Sequence, residues 1–213
     1  EGGQTSFSLG LLPLSEGVTA HNSEIKLQLT FRGTRLIGTN QTEEVVTEAT
    51  KTLKISTLAK LAANGVYHLG PFKNTGPLPP RVGQETTYTI NWTVTNTAND
   101  LGNVTVRTTL PPSIKWLGLN SPLDEKLVYN QTSGEVVWNL GAVVADTGSS
   151  FPARQVSFQV SLLPSLSQVG ATPNLAGEMV LSGQDVFTGA VINQTVSPIS
   201  TLISTDPNFI NGQ

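Results

Sequence analysis

The 213-residue chain combines 38% hydrophobic residues with a net charge of −3 and a pI near 5.3, a balance that excludes both a disordered chain and the basic surface of a nucleic-acid-binding protein. No apolar run approaches the roughly 18 residues of a membrane span. The chain has no cysteine, so disulfides cannot stabilise it.

The first predicted strands lie in residues 1–57. Gln4 to Pro13 alternates and ends at a proline, and Glu24 to Phe31 alternates again with isoleucine, leucine and phenylalanine on one face. Arg32 to Arg35 is typical of a turn, which predicts that a separate short strand follows at 36–38. Glu44 to Ser56 is rich in threonine and β-branched residues and predicts a further strand.

Residues 4–13 recur at 155–164 with an offset of 151, and Gln, Ser, Phe, Leu, Leu and Pro are identical. Both copies continue with an apolar strand ending at a glycine, Gly33 or Gly183. Each then has a second short strand ending at Gly38 or Gly189, and finally an Ile-Ser-Thr sequence. Matched order at a fixed period indicates an internal repeat.

The phase of this repeat predicts the domain organisation. Residues 1–57 correspond to the C-terminal half of a β-sandwich repeat, residues 58–205 to one complete repeat, and residues 206–213 to a linker or the start of the next. The chain opens on Glu1-Gly2-Gly3 without an initial methionine, so we expect that a leader has been removed or that the chain is a piece of something longer.

Thr87 to Thr95 alternates without a break and predicts the central core strand of the complete repeat. Tyr88, Ile90, Trp92 and Val94 fall on the apolar face, and threonines and one asparagine fall on the other.

Around this strand the sequence predicts eight or nine short strands and no helix. Leu58 to Ala63 is interpreted as a continuation strand or a short helical link, and Tyr67 to Leu69 as a first strand. Gly76 to Gly83 is too rich in proline for a central strand. Alternating strands are predicted near Val106, Trp116, Trp138, Phe158, Leu181, Phe187 and Ile192. We therefore expect an all-β chain of immunoglobulin-like antiparallel β-sandwiches in tandem.

Three segments carry a resemblance to a known family: residues 83–96 with their G-x-x-x-x-Y-x-I and V-x-N pattern, residues 104–111, and residues 129–141. The ordered set resembles the conserved-repeat immunoglobulin-like domain found in tandem in large surface proteins of bacteria and archaea. The match covers residues 80–163 well and 58–79 loosely, and it departs after Pro164, where an extra hairpin-rich region runs to Thr205. The resemblance implies an extracellular, repeated, non-enzymatic building block without a ligand or catalytic residue.

Candidate catalytic and metal-binding residues are few. His21 and His68 lie far apart in sequence and cannot form a zinc site without cysteine, and no Gly-x-Ser-x-Gly nucleophile elbow occurs. Asp124-Glu125 and Asp185 could serve a glycosidase, but their neighbours favour solvated loop carboxylates. One acid in residues 96–100 is too few for calcium. We expect that the chain is not an enzyme and that it binds neither a cofactor nor a metal.

Binding and modification leave two further sets of candidates. Trp92 and Trp138 fall in phase with apolar neighbours, so Trp116 is the only tryptophan that could be an exposed aromatic contact for a carbohydrate, although a core position is favoured. The Asn-x-Ser/Thr pattern of N-glycosylation occurs at Asn40, Asn91, Asn103, Asn130 and Asn193.

Two functions from different classes remain. The first is a structural repeat of an extracellular, cell-surface stalk, sheath, surface layer or filament, and the alternative is an adhesive or carbohydrate-binding sandwich of a larger surface protein or secreted enzyme. The expected partners are neighbouring repeats or subunits of the same protein, including a head-to-tail homopolymer. Half a sandwich in residues 1–57 would expose its apolar face, so it would be completed either by preceding residues or by another subunit.

Overall fold

The computed structural model describes residues 20–38, 41–204 and 206. Residues 4–13, the first copy of the repeated strand, lie outside the described residues. Apart from one three-residue 3-10 helix at Leu166–Gln168, the described elements are all strands. Their bounds are β1 Glu24–Ile37, β2 Gln41–Lys54, β3 Ala59–Val66, β4 Thr86–Asn96, β5 Leu101–Thr109, β6 Ile114–Ser121, β7 Lys126–Asn130, β8 Glu135–Val143, β9 Arg154–Leu162, β10 Asn174–Ala176, β11 Met179–Asp185, β12 Val191–Val196 and β13 Ile199–Ser200.

Strands β3 to β9, together with β11 and β12, form the two layers of a sandwich. One layer has four strands in the order β3-β4-β9-β6, and the other has five in the order β12-β11-β5-β8-β7. A small pair, β10-β13, lies beside them, and every strand pairing in these sheets is antiparallel. The predicted all-β antiparallel fold is confirmed.

The predicted central strand is β4, which lies between β3 and β9. Tyr88, Ile90, Trp92 and Val94 are fully buried, as their alternation predicted. From the opposite layer, Val106 and Trp138 are also fully buried. The alternation of small β-branched and aromatic residues therefore gives each sheet one face that fits the other.

Aromatic rings fill the centre of the sandwich. The ring of Trp92 stacks on that of Trp138 from the facing sheet with centroids 6.5 Å apart, and it meets the ring of Phe158 edge-on at 5.0 Å. The contact of Trp92 with Trp138 joins the two layers, whereas Trp92 and Phe158 lie on neighbouring strands of the same sheet. The Trp92 Nε1 and the Tyr88 hydroxyl are buried without a hydrogen-bond partner among the described residues.

Strands β1 and β2 form a separate two-stranded hairpin of 14 residues per strand, paired from Glu24 with Lys54 to Ile37 with Gln41. The predicted turn at Arg32 to Arg35 is wrong, because β1 runs straight through it. Gly33 pairs with Val45, and the ion pairs of Arg32 with Glu44 and of Arg35 with Glu43 connect the two strands on either side of it. The hairpin turns after Ile37, where Gly38 has a φ of 71°.

Three other expectations for the sandwich change. Leu58 to Ala63 is neither a helical link nor a continuation of β2 but the start of the edge strand β3. Tyr67 to Leu69 is not a strand and forms bends after β3. The region after Pro164 supplies β11 and β12, and β11 pairs with β5 to extend the five-stranded sheet. The structure therefore has eleven strands between residues 58 and 204, more than the eight or nine predicted.

Among the described residues, no helix combines the length and apolar character that crossing a membrane would require.

Candidate functional site: the joint between hairpin and sandwich

The hairpin meets the sandwich at the end where the loops β4–β5, β8–β9 and β11–β12 gather. The connection is the segment Ile55 to Leu58, and it contains neither glycine nor proline. We call the contacts between residues 20–23 or 54–58 and these loops the joint.

Thr57 is the centre of the joint and is 6% exposed. Its backbone N–H donates to Asp185 Oδ2 at 2.8 Å, and its hydroxyl donates to Asn96 Oδ1 at 2.7 Å. The same hydroxyl accepts from the backbone N–H of Ala98 at 2.9 Å. The backbone N–H and the hydroxyl of this buried threonine are thus hydrogen-bonded to three different residues of the sandwich.

Asp185 is fully buried at the end of β11 and accepts four hydrogen bonds. Besides Thr57, Asn99 Nδ2 donates to Oδ2 at 2.9 Å, and the backbone N–H groups of Phe187 and Thr188 each donate to Oδ1 at 2.9 Å. Burial by itself raises the pKa of Asp185, but these hydrogen bonds outweigh burial and hold the pKa below its usual value. The carboxylate is therefore charged in the folded protein.

Two buried asparagines complete the network. Asn99 Nδ2 also donates to the Ile55 carbonyl at 2.8 Å, and Asn99 Oδ1 accepts from the backbone N–H of Asn22 at 2.9 Å. Asn96 Nδ2 donates to the Asn99 carbonyl at 2.7 Å and to the Val144 carbonyl at 3.1 Å. Asn99 thus contacts the segments that enter and leave the hairpin, and Asn96 ties it to the loop β8–β9.

Exposed contacts surround this buried network. His21 places Nε2 3.1 Å from Asp146 Oδ2 and Nδ1 3.0 Å from the Ala98 carbonyl. Lys54 Nζ donates to the Phe187 carbonyl at 3.0 Å and lies 4.4 Å from the centre of its ring. The Ser56 and Thr188 hydroxyls are 3.1 Å apart. The joint therefore holds the base of both hairpin strands on one end of the sandwich.

The hydrogen bonds of the joint hold the backbone in one position. A buried, fully hydrogen-bonded polar network specifies one arrangement of backbone, because displacing it leaves buried groups unpaired. Among the described residues no three His, Asp or Glu side chains lie close enough together to hold a metal ion. His68 is exposed beyond the end of β3, stacked edge-on against Tyr67.

The sequence interpretation of the acidic residues was wrong for two of them. Asp185 is buried in the joint, and Glu125 is held by Arg154, with Arg154 Nη2 2.8 Å from Oε2, and by Trp138, whose Nε1 donates to Oε2 at 2.8 Å. Burial raises the pKa of Glu125, and the hydrogen bonds and charge of its partners outweigh burial and lower it. Because Trp138 and Arg154 lie on different layers, Glu125 links the two sheets.

One signal for Asp185 was present in the sequence. An aspartate two and three residues before the N–H groups it binds, in a turn closed by Gly189, is typical of a side chain that caps a turn. No local signal pointed to Thr57 or Asn99, because their partners are 128 and 86 residues away in sequence.

Trp116 does not form an open platform. It is partly buried against the core, its ring stacks on Tyr129 with centroids 5.5 Å apart and planes 17° apart, and it contacts Phe158 at 5.1 Å. A groove of about 540 Å³ at the opposite end of the sandwich is lined by prolines, aliphatic residues and the polar side chains of Arg81, Gln168, Thr172 and Thr201, and none of its described lining residues is aromatic. Neither feature supports carbohydrate binding.

The glycosylation candidates differ in their surroundings. Asn103, Asn130 and Asn193 are exposed on β5, at the end of β7 and on β12. The Asn130 side-chain oxygen accepts from the N–H groups of Thr132 and Ser133. Asn91 is half-buried and accepts from the Ser157 hydroxyl at 2.7 Å. Asn40 lies outside the described residues.

Comparisons with known proteins find no matching family model and no matching curated protein. Solved structures do match. A substituted form of BcpA, the major pilin subunit of Bacillus cereus, matches at 9% identity and a TM-score of 0.38 over 79% of this chain and 51% of that chain. BcpA itself matches at 8% identity and a TM-score of 0.35 over 73% of this chain and 50% of that chain.

A glycoside hydrolase matches over a shorter part. The GH20 exo-β-N-acetylglucosaminidase from Vibrio harveyi matches at 11% identity and a TM-score of 0.31, over 65% of this chain and 18% of that chain. The chain thus spans about half the length of the pilins and a fifth of the hydrolase. At these sequence identities and TM-scores, the similarities to the pilins and the hydrolase do not indicate a function.

Proposed function

We propose that this chain is a non-enzymatic structural repeat of an extracellular, cell-surface assembly such as a stalk, sheath, surface layer or filament. The observation that carries the proposal is the joint, in which a buried carboxylate and two buried asparagines fix the segment that leads into the sandwich. A flexible linker would need none of these contacts. A fixed joint is what an assembly of defined shape requires.

The path of the chain supports the proposal. Thr57 is held just before β3 begins, and Asp206 Oδ2 accepts from the backbone N–H groups of Tyr67 and His68 just after β3 ends. The chain therefore enters and leaves the sandwich at opposite ends of one strand. Units joined in this way follow one another in a line.

In this proposal the domains are those expected from the repeat. Residues 1–57 complete the C-terminal half of a neighbouring sandwich, residues 58–205 form one whole unit, and residues 206–213 lead into the next. The partners are therefore repeats or subunits of the same protein, arranged head to tail.

Labelling of intact cells tests the proposal. Antibodies raised against the purified chain are applied to unpermeabilised cells that produce the protein, and the cells are examined by immunogold electron microscopy. We expect label on elongated or layered structures outside the cell, with removal of the label by protease treatment of intact cells. A cytoplasmic marker protein, which is labelled only after permeabilisation, is the control. Label for this chain that is likewise found only after permeabilisation would contradict the proposal.

A further inference from the structure

The hairpin β1-β2 has one apolar and one polar face. Residues paired directly across two antiparallel strands point to the same side, so the register defines both faces. The face that holds most of the apolar side chains, called the apolar face below, carries Ile25, Leu27, Leu29, Phe31, Ile37, Val45, Ala49 and Leu53, together with Gly33, Gln41, Thr47, Lys51 and the ion pair of Arg35 with Glu43. Two exposed apolar side chains, Leu36 and Val46, lie on the opposite face. Phe31 is 58% exposed and Leu29 is 39% exposed. Lysine, glutamine, threonine and glutamate dominate the other face.

This amphipathic pattern is costly as it stands. In soluble proteins a contiguous exposed apolar patch marks an interaction surface. The free edge of a long strand has unpaired N–H and C=O groups that can pair with a further strand. Among the described strands, β1 pairs only with β2. Within residues 20–38, 41–204 and 206, no further strand pairs with the second edge of β1.

The internal repeat indicates which strand would pair with this edge. Leu29, Phe31 and Gly33 align with Met179, Leu181 and Gly183 of β11 at an offset of 150, one residue less than the offset of 151 between residues 4–13 and 155–164 and between Gly38 and Gly189. Met179 is fully buried and Leu181 is 1% exposed, because β11 pairs with β5 and faces the core. The corresponding side chains of β1 have the same apolar character without that burial.

The two glycines give a second, independent observation. A Cβ on Gly183 would lie 3.1 Å from Cγ2 of Val104 on β5, so the missing side chain makes room for this valine. Around Gly33 no atom lies within 4 Å of such a Cβ. A glycine inside a strand weakens it, and strand glycines occur at bulges, at bends and where another chain segment approaches closely. The described structure supplies no such segment at Gly33.

We propose that the apolar face of β1-β2 is the inner face of an unfinished sandwich and that the free edge of β1 receives the β5-type strand of a preceding copy of this repeat in the same polypeptide, as β5 pairs with β11 in the complete sandwich. This inference rests on the proposed function and names its partner. In the register of β11 on β5, Phe31 would pair with the counterpart of Val106 on the neighbouring strand, and Gly33 would lie next to the counterpart of Val104.

A separate copy of this chain fits less well as the occupant. In the sandwich, β5 lies between β11 and β8, so both of its edges are paired. A second, folded chain therefore offers no free β5 edge. A preceding repeat whose own β11-type hairpin is β1-β2 has that edge free by construction.

A fusion that supplies the missing half tests the inference. Residues 58–151 are placed directly before Glu1, which keeps the repeat offset of 151, and the fusion is compared with the 213-residue chain by hydrogen–deuterium exchange. In the 213-residue chain we expect rapid exchange of the β1 amides that point away from β2. In the fusion these amides should exchange at least about tenfold more slowly, since they would take part in a buried sheet. Protection of β4 and β9 reports in both proteins that the original sandwich is folded.

Two matched variants of the fusion locate the contact. Gly33→Val adds a side chain where Val104 of the added segment would pack, and should restore rapid exchange in β1. Thr34→Val changes a neighbouring residue on the polar face and should leave protection intact.

The remaining outcomes would overturn the inference. Unchanged exchange of β1 in a folded fusion, or equal effects of the two substitutions, would show that β1-β2 does not receive a β5-type strand. Defined oligomers of the 213-residue chain with protected β1 amides, measured by light scattering, would assign the occupant to a second chain. None of these outcomes affects the surface labelling that tests the proposed function.

Discussion

Strands β4 and β1 follow the same rule of alternation and have opposite environments. On β4, Ile90 and Trp92 are fully buried between two layers. On β1, Leu29 and Phe31 alternate in the same way, yet both are exposed. Alternation therefore specifies which face a strand can bury, whereas burial itself depends on a second layer that covers this face. In this chain the second layer is present for β4 and absent for β1 among the described residues.

The largest effect should come from the buried side of this comparison. Trp92→Ala removes a ring that contacts Trp138 and Phe158 and should lower the free energy of unfolding by about 3–5 kcal/mol. Urea denaturation followed by circular dichroism measures the change. An unchanged midpoint would mean that Trp92 does not lie at the centre of the core.

The joint should be the next most sensitive region. Asp185→Asn replaces a carboxylate oxygen by an amide that opposes the N–H of Thr57 and the Nδ2 of Asn99, and should cost about 2–3 kcal/mol. Urea denaturation gives the cost, and hydrogen exchange should show faster exchange at Thr57. Wild-type stability together with wild-type protection of Thr57 would contradict the described network. Asp124→Asn, an exposed neighbour of Glu125, is the control.

Acid should weaken the contacts of both buried carboxylates. The pKa values of Asp185 and Glu125 are lowered in the folded protein, so their contribution is fully present above their unfolded pKa values, near pH 4, and is lost as the pH falls through the folded values. Unfolding measured between pH 7 and pH 3 should show stability decreasing below about pH 4. Glu125→Gln should cost about 1–2 kcal/mol at pH 7 and flatten this decrease. A decrease of the same steepness in the variant would exclude Glu125 as a cause.

The smallest effect should be found on the exposed side. Phe31→Ala in the 213-residue chain should change the free energy of unfolding of the sandwich by less than about 0.5 kcal/mol, since the ring is exposed. The same urea experiment measures it. A loss comparable to that of Trp92→Ala would show that the apolar face of β1-β2 is already packed in this chain.

Much of the sandwich could be predicted because its signals are local. The alternation of Tyr88 to Val94 and of Val136 to Leu140 follows directly from the period of two, and both segments are buried strands. The prediction was wrong at Arg32 to Arg35, where the glycine was interpreted as a turn. Cross-strand pairing with Val45 extends β1 through this point, and pairing between distant residues is not visible in a local pattern.

The candidate site was predictable only in small part. Trp116, for which a core position was favoured, is partly buried against the core. Asp185 and Glu125 were interpreted as solvated because their neighbours are glycine, proline and serine. Their hydrogen-bond partners, such as Asn99 and Arg154, come from other strands and loops. A buried polar network assembled from five segments of the chain produces no periodic pattern in the sequence.

The placement of Thr57 and Asp206 at the two ends of β3 has a mechanical consequence. Tension applied along the chain would pull on β3 at its first residue, while Asp206 holds the end of β3 at Tyr67. The force would therefore run parallel to β4, the strand that pairs with β3. All eight paired positions between Ala59 and Val66 would then resist together as a shear load, rather than opening one after another like a zipper. A unit built in this way withstands pulling in the direction in which its neighbours would be attached.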